Sequence, residues 1–233
     1  MSGLDHLHAS CRSLLTKSAV ACAVMFPMAA CTGQSIESDD MSTTADVTTD
    51  AAHQAAPMRT LNTAPRRSYQ VNMLIENAPG PFAVVEGVAQ YDVVNEDECG
   101  QYSETAGLHP RITSNEKFTL ERVSDTEYSG IVYLDRILDE EYFDGGVCRW
   151  QFTEARVVLR ASDSATDARF VPALAAQLVE RQAAQVRYFW KGYYPRAKME
   201  GFPDLGETNL DAVPQEKRAE FFSISLKASE AES

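Results

Sequence analysis

The sequence predicts a mainly β chain, an antiparallel β-sandwich or barrel-like domain with one short helix. Three observations lead there. Apolar and polar residues alternate with a period of two over several short runs, and clusters of Asn, Pro, Gly, Ser and Asp separate those runs. Only one stretch, Pro172 to Ala184, carries apolar residues at helical spacing.

In order, Tyr69, Val71 and Met73 alternate with Gln70 and Asn72, and the run stops at Asn77-Ala78-Pro79-Gly80-Pro81. A second strand spans Phe82 to Val94, with Val85, Ala89, Tyr91 and Val93 on one face and Glu86, Gln90 and Asp92 on the other. Phe118 and Leu120, alternating with Lys117, Thr119 and Glu121, predict a third. Ser124 to Glu127 turns into a strand over Tyr128 to Leu134. Trp150 and Phe152 open a long strand whose phase changes before Val157 and Leu159, the mark of a bulge. Further strands are expected at Arg169 to Val171, Val186 to Tyr194 and Phe221 to Lys227. Leu174, Leu178 and Val179 predict a helix packed on the sheets.

What precedes the domain is of another kind. Arg12 and Lys17 are followed by a short apolar run from Ser18 to Ala30, the layout of a secretory signal. It is too short to span a bilayer core as a helix, which takes about 20 apolar residues. The stretch Phe26-Pro27-Met28-Ala29-Ala30-Cys31 resembles a bacterial lipobox, although Met28 stands where leucine is usual. That resemblance implies a signal peptide over 1–30 and a lipid on Cys31, with Thr32 directing the chain to the periplasmic face of the outer membrane. From Cys31 to Arg66 the chain is rich in Ser, Thr, Ala and Asp and poor in large apolar residues. Such a segment cannot bury enough surface to offset its ordering entropy, so 31–66 is read as a disordered tether and 67–233 as the globular domain.

Cysteine parity supports this division. Of 5 cysteines, Cys11 and Cys22 leave with the signal, and a lipid on Cys31 leaves Cys99 and Cys148 as one pair. An exported, oxidising compartment favours a disulfide between them. Removing residues 1–30 takes away Arg12, Lys17 and Asp5, so 21 basic and 34 acidic residues become 19 and 33, a net charge of −14. That balance disfavours nucleic acid and favours cationic partners.

The expectation for chemistry is a chain that is not an enzyme and that carries no metal or other cofactor. His53 falls in the tether, leaving His109, before Pro110, as the one candidate base in the domain, and no Gly-x-Ser-x-Gly elbow accompanies it. Neither zinc-ligand spacing nor a phosphate-cradling glycine pattern occurs. The most unusual stretch runs from Asp135 to Gly146, where Asp135, Asp139, Glu140, Glu141 and Asp144 are interleaved with Tyr142 and Phe143. Four readings stand open: a calcium loop lacking the usual ligand order, a carboxylate pair for sugar hydrolysis, a docking loop for a basic protein surface, or a solvated connection. A second cluster, Tyr188 to Pro195, is denser in rings than one sheet face can bury.

Taken with the lipobox and tether, three stretches make the chain similar to the periplasmic immunity lipoproteins that accompany effectors of bacterium-killing type IV secretion systems. They are Tyr91-Asp92-Val93 through Glu98-Cys99-Gly100, Tyr128-Ser129-Gly130-Ile131-Val132-Tyr133-Leu134-Asp135, and Gly146-Val147-Cys148-Arg149-Trp150. The resemblance implies a membrane-anchored inhibitor whose partner is a cognate antibacterial effector, such as a peptidoglycan hydrolase or a lipase. An envelope structural or assembly lipoprotein is the alternative, and a weak, calcium-dependent enzyme is a third class.

Overall fold

The computed structural model describes residues 59–231; the expected signal peptide, the lipid-bearing Cys31 and the tether up to residue 58 lie outside the described residues. Among the described residues, thirteen strands and two short α-helices follow in chain order: β1 Ser68–Glu76, β2 Val84–Val93, α1 Glu96–Cys99, β3 Thr113–Phe118, β4 Leu120–Arg122, β5 Glu127–Tyr133, β6 Glu140–Glu141 and β7 Val147–Cys148. The rest are β8 Trp150–Arg160, β9 Arg169–Phe170, β10 Ala173–Ala175, α2 Ala176–Glu180, β11 Ala184–Trp190, β12 Pro203–Asp204 and β13 Phe221–Glu230.

These form a sandwich-like pair of sheets, not a closed barrel. One sheet has the order β11-β13-β1-β5-β4, the other β12-β9-β8-β2-β3 with β10 also paired to β8, and β6-β7 is a small hairpin of its own. Pairing is antiparallel except between β12 and β9. The period-two pattern places the core. Val71, Met73 and Ile75 of β1 are buried, as are Ala89, Tyr91 and Val93 of β2. Between the sheets Phe170 meets Phe82, Phe189 and Phe222 edge-on at 5.8, 5.7 and 5.2 Å between ring centres. Such pairs add about 0.5–1.5 kcal/mol beyond the area they bury.

The expected bulge is present. Gln90 pairs with Glu154 but Tyr91 pairs with Phe152, so Thr153 is the extra residue and the buried face shifts from Phe152 to Ala155. Three expectations are corrected. The single strand around Phe118 and Leu120 is two, because β3 pairs with β2 in one sheet and β4 with β5 in the other. The chain changes sheets at Thr119, and there Gly130 lets the backbones meet: a methyl on it would overlap the Thr119 carbonyl. The helix expected over 172–184 shrinks to α2, since Ala173–Ala175 pairs with β8 first and Gln182 takes a positive φ of 54° after it. The strand expected to reach Tyr194 ends at Trp190, where Lys191–Tyr193 winds into a 3-10 turn.

The domain also begins earlier than Arg67. Leu61 bridges to Ile137, the Asn62 amide donates to the Arg136 carbonyl at 2.7 Å, and the Arg59 guanidinium pairs with the Glu116 carboxylate. These partners come from distant parts of the chain, so composition alone reads 59–66 as tether.

Candidate functional site

Cys99 closes α1 and Cys148 closes β7; they are disulfide-bonded with their Cα atoms 5.2 Å apart. Beneath the bond lies a core separate from the main one, made of Val93, Cys99 and Cys148 with Ile112, Tyr142, Phe143 and Trp150 packed on it. The bond places two acidic segments side by side: Glu96-Asp97-Glu98 on α1 and the stretch from Asp139 to Asp144 that leads into β7. Asn95 locks them together. Its side-chain amide donates to the Val147 carbonyl and to Glu98, both at 3.0 Å, and its oxygen accepts from the Arg149 backbone at 2.8 Å.

The residues singled out in Asp135–Asp144 divide into two groups. Asp135 accepts the backbone amides of Arg66 and Arg67 at 2.8 and 3.1 Å, so it fastens the lead-in segment to the domain. Asp139 accepts the Trp150 amide at 2.8 Å. The Tyr142 hydroxyl donates to the Leu138 carbonyl at 2.7 Å and accepts from the Thr60 amide at 3.1 Å. Phe143 is half-buried against the disulfide core. Those four hold structure together. Glu140 is half-buried in β6, while Glu141 and Asp144 are exposed, and among the described residues no cation lies within ion-pair reach of any of the three. Asp144 takes a positive φ of 58°, which turns the chain at the tip of the hairpin.

Around the disulfide, Asp97, Glu141 and Asp144 are therefore exposed, with Glu96 and Glu140 half-buried beside them. The Glu98 carboxyl is held below the usual carboxylate range, first by the Asn95 amide and then by the charge of Arg149 at 3.0 Å. Two apolar residues sit among these acids, Val94 at 53% and Val147 at 52% exposure. Acids that steer and apolar groups that lose water on contact are the ingredients of a protein-docking face. Sequence reading passed over Glu96, Asp97 and Glu98. The available signal was their position directly before Cys99, which the disulfide carries next to the second acidic run.

A cleft of about 780 Å³ opens where the two sheets part at β3 and β4, lined among others by Tyr91, Glu116, Phe118, Gly130, Tyr133 and Arg136. Burial alone would raise the Glu116 carboxyl. Hydrogen bonds from Arg59 and Ser114, with the charges of Arg59 and Arg136, outweigh burial and hold it low. The Tyr91 hydroxyl donates to the Tyr133 carbonyl and is pushed up mainly by burial, so it remains a protonated donor. Glu116 holds Arg59 and Arg136 donates to the Asn62 carbonyl at 3.0 Å, so this end of the cleft is a joint between the lead-in segment and the sheets.

His109 has its Nδ1 3.1 Å from the Gly100 carbonyl, which places the proton on that nitrogen. Its ring packs edge-on to Tyr102 at 5.3 Å, and among the described residues no carboxylate hydrogen-bonds it. Among the described residues no three His, Cys, Asp or Glu side chains converge as ligands for one ion. The rings of the second aromatic cluster split: Phe189 is fully buried, whereas Trp190 is 38% exposed.

No family model, curated protein or solved structure matches this chain.

Proposed function

We propose that the chain is a membrane-anchored periplasmic immunity protein, which binds a cognate secreted antibacterial effector through the acidic face around the Cys99–Cys148 bond and blocks it without chemistry of its own. The observation that carries this reading is the disulfide's placement of two acidic segments side by side, with Asp97, Glu141 and Asp144 exposed and the exposed Val94 and Val147 in the same segments. The resemblance of the lipobox and of the segments around both cysteines supports the anchoring and the compartment. The net charge of −13 for the whole chain favours a basic partner surface.

The test has a genetic and a physical arm. Deleting the gene should sensitise cells to siblings that secrete the effector, and the lipidated protein should rescue them. In binding to the effector, changing Glu96, Asp97, Glu141 and Asp144 together to Gln, Asn, Gln and Asn should slow association roughly tenfold at low salt. That difference should fade as the Debye length falls from about 10 Å at 0.1 M to about 3 Å at 1 M salt. Full viability of the deletion strain among effector-secreting siblings would remove the immunity reading and favour an envelope scaffold.

A further inference from the structure

Away from the disulfide, a hollow of about 370 Å³ lies between β11, β12 and the start of β13. Its walls are the rings of Tyr188, Trp190, Tyr193 and Phe221, and its charges are the carboxylates of Asp204, Glu207 and Glu220 against the single ammonium of Lys217. The parts are held in place. Tyr188 and Glu207 exchange two backbone hydrogen bonds at 2.9 and 2.7 Å, which fixes the Glu207 backbone beside the tyrosine. The Trp190 indole donates to Glu220 at 3.0 Å and stands edge-on to Tyr193, 4.9 Å between ring centres.

We infer that this hollow receives the cationic side chain of a lysine or arginine on a partner protein. A cation over an aromatic face is attracted by the ring quadrupole, more strongly when partly desolvated, and carboxylates at the rim complete its pairing. Three carboxylates to one ammonium leave the hollow negative, so an anionic group is repelled. A hard metal ion takes six or more oxygens converging on one point, and among the described residues no three carboxylates come together in that way. Asp204 fits the same picture: burial first, and then the charge of Glu207, raise its carboxyl against the opposing Gly206 amide, and an arriving cation would offset the repulsion from Glu207. The site shares no residue with the acidic face around the disulfide and goes beyond the immunity reading.

The experiment follows the Trp190 indole N–H by NMR in the full chain while Nα-acetyl-arginine methylamide or Nα-acetyl-lysine methylamide is titrated in. The neutral citrulline counterpart is the control. The cationic probes should give a saturable shift of the Trp190 signal that weakens with salt, and citrulline should give none. Glu207→Gln should weaken binding roughly tenfold, and Lys217→Ala should tighten it, because the resident ammonium competes. Glu207 and Lys217 are exposed, so both variants are expected to fold, and an unchanged Trp150 indole signal checks this. An equal shift with citrulline, no saturable shift with either cation, or weaker binding in Lys217→Ala would each overturn the inference. None of these readouts depends on an effector, so failure here and failure of the immunity reading remain distinguishable.

Discussion

The two cores of this domain are built on different principles. The main core is held by area: β1, β2, β8 and β13 each turn an alternating apolar face inward, and Phe82, Phe170, Phe189 and Phe222 interlock between them. The small core has Val93 and a disulfide at its centre, with a ring of half-buried side chains around them. It has too little apolar surface to order its loops alone, so a covalent bond and polar clamps do it: Asn95, Asp139 and the Tyr142 hydroxyl. The exposed acids Asp97, Glu141 and Asp144 sit around the second kind of core. Reduction would remove the bond at the centre of the small core and nothing from the main one.

The largest effect should come from Phe170→Ala, which removes the ring at the centre of the main core. It is fully buried, and a cavity of that kind costs about 3–5 kcal/mol. Urea unfolding should show that loss of free energy as one transition at a lower midpoint, and a loss confined to residues 95–112 would show that the main core does not govern global stability.

Next is Cys99→Ser with Cys148→Ser. The bond spans a sequence separation of 49, worth up to about 4 kcal/mol in the chain-entropy view. The comparison predicts a local outcome. Amide exchange should accelerate over 95–112 and 139–149 while β1, β8 and β13 keep their protection. Uniform acceleration would mean that the two cores are one cooperative unit.

The smallest concerns acid. Glu116 and Asp92 both have carboxyls held below their ordinary values; for each, burial pushes up and hydrogen bonds outweigh it, from Arg59 and Ser114 in one case and from Thr113, Gln90 and Arg111 in the other. A depressed carboxyl binds fewer protons folded than unfolded. Its contribution is therefore present above the ordinary value of about 4 and is lost as pH falls through the lower folded value. Glu116→Gln should lower stability at neutral pH by about 1 kcal/mol and flatten the acid limb of a urea-midpoint profile. Asp204 has the opposite sign, its carboxyl being raised, so Asp204→Asn should stabilise slightly at neutral pH. An acid limb of unchanged slope in Glu116→Gln would show that the Arg59 clamp contributes nothing.

Much of the fold was legible because burial on one sheet face imposes a period of two, and the chain keeps that period wherever a strand lines the main core. The bulge at Thr153 was readable as a phase change for the same reason. The sheet switch at Thr119 was not, because alternation runs on through Phe118 and Leu120 while their pairing partners change. The helix over 172–184 was overestimated because Leu174, at helical spacing, is buried on β10 before α2 begins. Among the candidate site residues, charge and ring content were legible in Asp135–Asp144, but the direction of each side chain was not. Asp135 and Asp139 turn to backbone amides contributed by Arg66, Arg67 and Trp150.

By itself, the sequence determined the mainly β class, the extent of most strands lining the main core and the pairing of Cys99 with Cys148. The class and the strands follow from local alternation, a property of the chain before it folds, and the pairing was expected from counting thiols once Cys11, Cys22 and Cys31 are assigned to the signal and its lipid. Tertiary structure alone decided that residues 59–66 belong to the domain, that α1 lies beside Asp139–Asp144, and that Asp204, Glu207 and Glu220 surround one set of rings. Each of these is a meeting of segments far apart in the chain. Residue order sets what a segment can bury, but only the closed sandwich sets which distant polar groups a carboxylate will face.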